Sequence, residues 1–235
     1  MGEATNVGGS DVIDDEEEEE EESYMYQSAA SEAVEVQVKE CLGVPFYKRV
    51  RTGRSSQVGL VYDHHSASSG STPVEGEGDG EEAGDRDVVV AVKDEVEDLY
   101  HLLRTVLADH PTVNAVCSGA ILSTYQRTRV ESVCSRLGLT SLSYLWRNRP
   151  QRSLLECMLN DGIEAILVKT ASPPGLIPRK HLGKTLGQLH YGGVFDKLHD
   201  MYDFHICGEG GEYETLVLDC PLFKRRLVLD ETEVV

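Results

Sequence analysis

Paired cysteines are the first thing this chain lacks. Its six cysteines (Cys41, Cys117, Cys134, Cys157, Cys207 and Cys220) are scattered, with no two in C-x-x-C spacing. The absence of that spacing argues against a zinc site and for reduced thiols in a cytosolic protein. Cys134 and Cys157 fall on apolar helix faces and read as packing residues. No secretory apolar segment opens the chain, and no apolar run approaches membrane-spanning length. A G-x-S-x-G elbow is missing, so a Ser-His-Asp hydrolase has no support. Basic residues are missing from 1–22, which hold eleven acids, including the run Glu16 to Glu22.

That acidity is segmental. Residues 75–87 add seven acids against Arg86, and setting both segments aside reduces the net charge from −19 to −2. The remainder is close to neutral, and the acidic balance argues against non-specific nucleic-acid binding. A run of like charges cannot bury enough apolar area to offset its ordering entropy, so 1–22 reads as a disordered tail. Residues 63–87, rich in Ser, Gly, Glu and Asp, read as a disordered insertion.

Elsewhere helices and strands alternate. Helical spacing predicts helices over Ser23–Leu42 (stopped by Gly43), Asp94–Leu107, Ser123 or Thr124 to Leu137 (stopped by Gly138), Arg152–Asn160 and Phe195–Met201. Strands are expected at Pro45–Val50, Val88–Val92, Val113–Cys117, Leu142–Leu145, Ile163–Lys169, Phe204–Ile206, Thr215–Leu218 and Leu227–Leu229, with a bend at Ser172–Gly175. Short connections between alternating elements predict a parallel α/β sheet. A boundary near Trp146–Pro150, where charge density rises, would separate a larger first domain (23–146) from a smaller second one (147–235).

Three segments carry residues suited to chemistry. Ser118–Glu131 follows an expected parallel strand, where open α/β sheets bind ligands. Arg127 and Arg129 enter the first turns of its helix, where the dipole disfavours cations and an anion would account for them. The alternative is a surface i,i+4 pair of Arg127 with Glu131. His181-Leu182-Gly183-Lys184-Thr185 imitates the end of a Walker loop, but Pro178 stands where its first glycine belongs. A Walker loop is excluded, and Lys184 stays open as an anion ligand. The third segment is Cys207-Gly208-Glu209-Gly210-Gly211-Glu212-Tyr213-Glu214-Thr215. Its glycines permit close backbone approach, and its carboxylates could accept hydrogen bonds, hold Mg²⁺ or simply be solvated.

Taken in order, Ser23–Gln27, Gly119–Ser123 with Tyr125–Arg127 and Arg129–Glu131, Tyr144–Trp146, His181–Leu186, Cys207–Thr215 and Asp219–Lys224 closely resemble the diphthine–ammonia ligase family. The resemblance implies a Rossmann-like N-type ATP pyrophosphatase domain followed by a smaller α/β domain. It implies that ATP, carried with Mg²⁺, adenylates the carboxylate of diphthine on translation elongation factor two, and that ammonia (from ammonium) displaces AMP to form diphthamide. A membrane or a nucleic acid has no place in that chemistry, and the cytoplasm is its expected location. Gly119, Ser123, Arg127 and Arg129 would then face the nucleotide. Lys184, Gly208, Glu209, Gly210, Gly211, Glu212, Tyr213 and Glu214 would lie on the substrate side or at the domain interface. Catalytic residues stay unassigned, and no protein metal site is expected. The family's Ser-Gly-Gly-Lys-Asp-Ser phosphate loop is not found in this sequence. Without it, the expectation is either an incomplete chain or a form that no longer binds ATP in the family's way. The sheet would lack its first strands, leaving Val113–Cys117 at an edge. A binding protein without ligase activity is the rival reading.

Overall fold

The computed structural model describes residues 26, 29–53, 94–171 and 175–232. The acidic tail, the 63–87 insertion, the Val88–Val92 strand and most of the Ser23–Gln27 motif lie outside the described residues.

The first helix, α1, covers Ser31–Val36 and continues as a π-helical turn over Gln37–Leu42. Gly43 ends it in the left-handed conformation (φ 69°), as an αL cap requires. Residues 45–53 do not form the expected strand. Their polar groups go instead to the next helix, α2 (Glu95–Asp109). Asp98 accepts hydrogen bonds from Arg49 Nε (2.9 Å), Thr52 N (2.6 Å) and Gly53 N (3.0 Å). At the other end of α2, Tyr47 Oη donates to Asp109 (2.8 Å).

Strand β1 (Ala115–Cys117), helix α3 (Thr124–Leu137) and strand β2 (Thr140–Leu142) form one parallel βαβ unit, with Ala115 opposite Thr140 and Cys117 opposite Leu142. Ser123 caps α3, its Oγ accepting Gln126 N, and Gly138 closes the helix in the left-handed region. The stripe Val130–Val133–Cys134 on α3 packs against Val96 and Leu99 of α2 and against Val116 of β1. Arg136 fastens the same two helices through a two-pronged pair with Glu97 (2.6 and 2.9 Å). β2 lies two to three residues earlier than its expected place, because pairing with β1 sets its register and residues 143–146 close a turn (Trp146 N to Ser143 O, 3.2 Å).

The second half pairs β3 (Glu164–Thr170) antiparallel with β4 (Tyr213–Asp219). Helices α4 (Gln151–Asn160), α5 (Pro178–His181), α6 (Leu186–Tyr191) and α7 (Val194–Tyr202) accompany them. Phe195, Phe204 and Tyr213 stack at centroid distances of 5.4–6.0 Å in the middle of this core. Phe204–Ile206 is no strand, since side chains take its amides: His205 N goes to Glu212 Oε1 (2.9 Å) and Ile206 N to Gln151 Oε1 (2.5 Å). Nor does Leu227–Leu229 form one; a single bond, Leu227 N to Leu218 O (2.8 Å), holds it beside β4. The α1 segment crosses to this second sheet. Ala30 and Ala33 pack on Ile166, Leu216 and Leu218, and Gln37 Nε2 donates to Val217 O (2.5 Å).

Candidate functional site

The parallel pair ends in two adjacent loops, Ser118–Ser123 after β1 and Ser143–Pro150 after β2. This is the edge where open α/β sheets receive ligands. The backbone ties the loops together, with Ser118 N donating to Leu142 O (2.9 Å) and Arg147 N to Ile121 O (2.8 Å). Arg147 holds this position at φ 51°, in the left-handed region, which costs a non-glycine residue about 1 kcal/mol or more. A Cβ on Gly119 would meet no atom within 4 Å, and its φ is not left-handed, so nothing within the described protein requires glycine there.

The Gly/Glu segment of the second half docks onto this edge. The Glu209 carboxylate accepts the N–H groups of Ile121 (3.0 Å), Leu122 (2.9 Å) and Ser123 (2.8 Å) at the start of α3. Helix N-termini favour an anion through their free amides and dipole, and here the anion is the chain's own. The other two acids are equally occupied. Glu212 accepts His205 N and Gly210 N (2.9 and 2.8 Å), and Glu214 accepts Ala29 N (2.7 Å). Tyr213 is buried in the aromatic stack, with its Oη donating to Ile206 O (2.6 Å). Gly208 sits at φ 75°, 3.1 Å from the Tyr213 ring measured from a would-be Cβ. Gly210 and Gly211 complete the turn.

The other expected site residues separate. Arg127 pairs with Glu131 (2.7 Å), the i,i+4 alternative, and its guanidinium lies 4.0 Å from the Trp146 ring centroid. Arg129 is fully buried, 3.2 Å from the Tyr125 ring, with Nη1 donating to Tyr125 O. Its planar cation is covered on one face by that ring. Lys184 is exposed and its side chain makes no hydrogen bond or ion pair among the described residues. Its backbone lies along β3, where Leu167 N donates to Lys184 O (3.0 Å).

Between the two docked loops and the second half lies a cavity of about 410 Å³. Arg147, Arg149 and Arg152 line it, with His199 and His205 among the facing residues. His205 Nδ1 accepts both Cys207 N (3.2 Å) and Glu209 N (3.3 Å), so the proton of the neutral ring sits on Nε2. Burial lowers the pKa of His205 and keeps it neutral, outweighing Glu212 and Glu209. Burial, helped by Glu209, raises the Cys207 thiol to about 11, so it stays protonated at neutral pH. Sequence reasoning missed this cavity. Its signal was Arg147-Asn148-Arg149-Pro150-Gln151-Arg152, three arginines directly after the second parallel strand. Among the described residues, no three His, Cys, Asp or Glu side chains cluster to hold a metal ion, and no helix is long and apolar enough to cross a membrane.

Fold and site together define an α/β protein in which a loop of the second half covers the carboxyl ends of two parallel strands. Two family models match the chain: the diphthamide synthase N-terminal domain over residues 62–141 and the diphthamide synthase C-terminal domain over 153–235. The chain is 44% identical over 213 residues to a diphthine–ammonia ligase of Danio rerio, covering 91% of this chain and 71% of that one. It is 42% identical over 232 residues to the Homo sapiens protein of the same name, covering 99% and 72%. Against the Schizosaccharomyces pombe protein it is 44% identical over 216 residues, but spans only 30% of that longer chain. The chain belongs to the diphthine–ammonia ligase family.

Proposed function

We propose that this chain carries out the ATP-dependent amidation for which its relatives are named, converting diphthine on translation elongation factor two to diphthamide in the cytoplasm. The carboxylate oxygen attacks the α-phosphorus of ATP and pyrophosphate leaves. Ammonia then attacks the acyl carbon and AMP leaves with the bonding pair. Adenylation replaces a poor leaving group with a good one, so the protein's share is orientation and charge neutralisation. Mg²⁺ belongs to this reading as the companion of the nucleotide phosphates. The observation that carries it is the Glu209 contact, which brings the Gly/Glu loop within hydrogen-bonding distance of the β1–α3 edge. Nucleotide at Gly119 and Ser123 and acceptor at the 208–214 loop would then meet at one seam. Arg127 would act through Trp146, Arg129 through the position of α3, and Lys184 as an exposed cation toward the acceptor protein.

The same contact favours a second reading, a non-catalytic binder of the elongation factor, because Glu209 already occupies amides that a phosphate could use. Incubating the purified chain with ATP, ammonium and diphthine-bearing elongation factor separates the two. The ligase reading expects AMP release together with the mass change of one amide. Factor binding without AMP would establish the binder.

A further inference from the structure

The cavity beside the Glu209 contact holds more positive charge than its surroundings neutralise. Arg152 is paired with Asp196 and Arg127 with Glu131. Arg147 and Arg149 meet no carboxylate among the described residues: Arg147 lies 4.5 Å from the Trp146 ring centroid, and Arg149 Nε donates to Asn148 Oδ1 (3.1 Å). Trp146 thus carries two guanidiniums, Arg127 at 4.0 Å and Arg147 at 4.5 Å, which restricts both side chains before any ligand arrives. His205 also lines the cavity, with its Nε2 buried and without a partner among the described residues. The volume, about 410 Å³, falls in the range of ligand sites, roughly 300–1,000 Å³.

We propose that this cavity binds a polyphosphate anion, with Arg147 and Arg149 as its charged donors, an assignment that rests on the adenylating reading. A single carboxylate is matched by one bidentate guanidinium. Two guanidiniums that meet no carboxylate among the described residues suit an anion with several charges and several acceptor oxygens. The helix N-terminus next door cannot take it, because Glu209 holds those three amides. The anion is either the pyrophosphate released by adenylation or the phosphate chain of the intact nucleotide.

Isothermal titration of the full chain with inorganic pyrophosphate, and separately with ATP, at low salt tests the site. Arg147→Asn, which tolerates the left-handed backbone, and Arg149→Gln should each weaken binding roughly tenfold or more, with unfolding temperatures near wild type. Arginine-dependent pyrophosphate binding supports the site with the released anion as its ligand. Arginine-dependent ATP binding without pyrophosphate binding supports it with the nucleotide chain as the ligand. If wild type binds neither at millimolar concentration, or both variants bind as wild type does, the proposal is overturned. Retained, arginine-dependent anion binding alongside failed amidation would sink the ligase reading and leave the site standing. Normal amidation with variants that bind like wild type would do the reverse.

Discussion

Glu209 does its work through one carboxylate and three backbone amides. The 208–214 segment read equally as a solvated turn, a metal cradle or a ligand loop, and the structure shows each of its three glutamates accepting main-chain N–H groups. Charge-assisted bonds of this kind contribute more than neutral ones. Glu209→Ala should therefore lower unfolding free energy by about 1–3 kcal/mol, and Glu209→Gln by less, since its amide oxygen still accepts. Urea unfolding checks this, and a Glu209→Ala value matching wild type would show the contact to be energetically idle. Arg127 and Arg129 are two residues apart and so lie on opposite faces of α3, but which face is the surface and which the interior is decided only once Trp146 and Tyr125 are placed. The structure puts one on a ring at the surface and the other under a ring in the interior.

Elements whose signals are local were legible. α2, α3, α4 and α7 appear within a few residues of their expected places, because amphipathic spacing, the Asp94 and Ser123 caps and the Gly138 stop act within one or two turns. Ser123→Ala should cost about 1 kcal/mol. Gly208→Ala should cost more, roughly 1–3 kcal/mol, because it strains the backbone and meets the Tyr213 ring. Denaturant midpoints for the two variants would show whether that order holds. α5 and α6 were missed although their signals were present: Pro178 at the first helical position and the Thr185–Gln188 capping box. The short strands expected at 45–50, 204–206 and 227–229 failed for a different reason. A strand needs a partner for its amides; in 204–206 the side chains of Glu212 and Gln151 supply the acceptors instead, and along 45–50 it is the side chains of Tyr47 and Arg49 that reach α2.

On the scale of the whole molecule, separate segments are held together by carboxylates. Asp98 ties 49–53 to α2 much as Glu209 ties the second half to α3. Burial pushes the Asp98 pKa up, but the N–H groups of Thr52 and Gly53 and the Arg49 guanidinium outweigh it, and the net shift is downward. A carboxylate with a lowered pKa adds stability in full above its ordinary value, about 3.9, and that stability is lost as pH falls through the lowered one. Asp98→Asn should therefore reduce the unfolding temperature by several degrees at pH 7, with the gap closing as pH falls below the ordinary carboxylate range. Calorimetry across that range reads it directly, and a gap independent of pH would assign the effect to packing.

Family membership and most helices follow from sequence alone, because motif order, periodicity and caps are written in neighbouring residues. The Gly/Glu loop's contact with α3 was decided only by the tertiary structure, as was the burial of Arg129 and the convergence of Arg147, Arg149 and His205 on one cavity. Those contacts join residues as far as 86–88 positions apart in the chain. At such separations local spacing carries no register, and only the packing of the two halves sets which acid meets which amide.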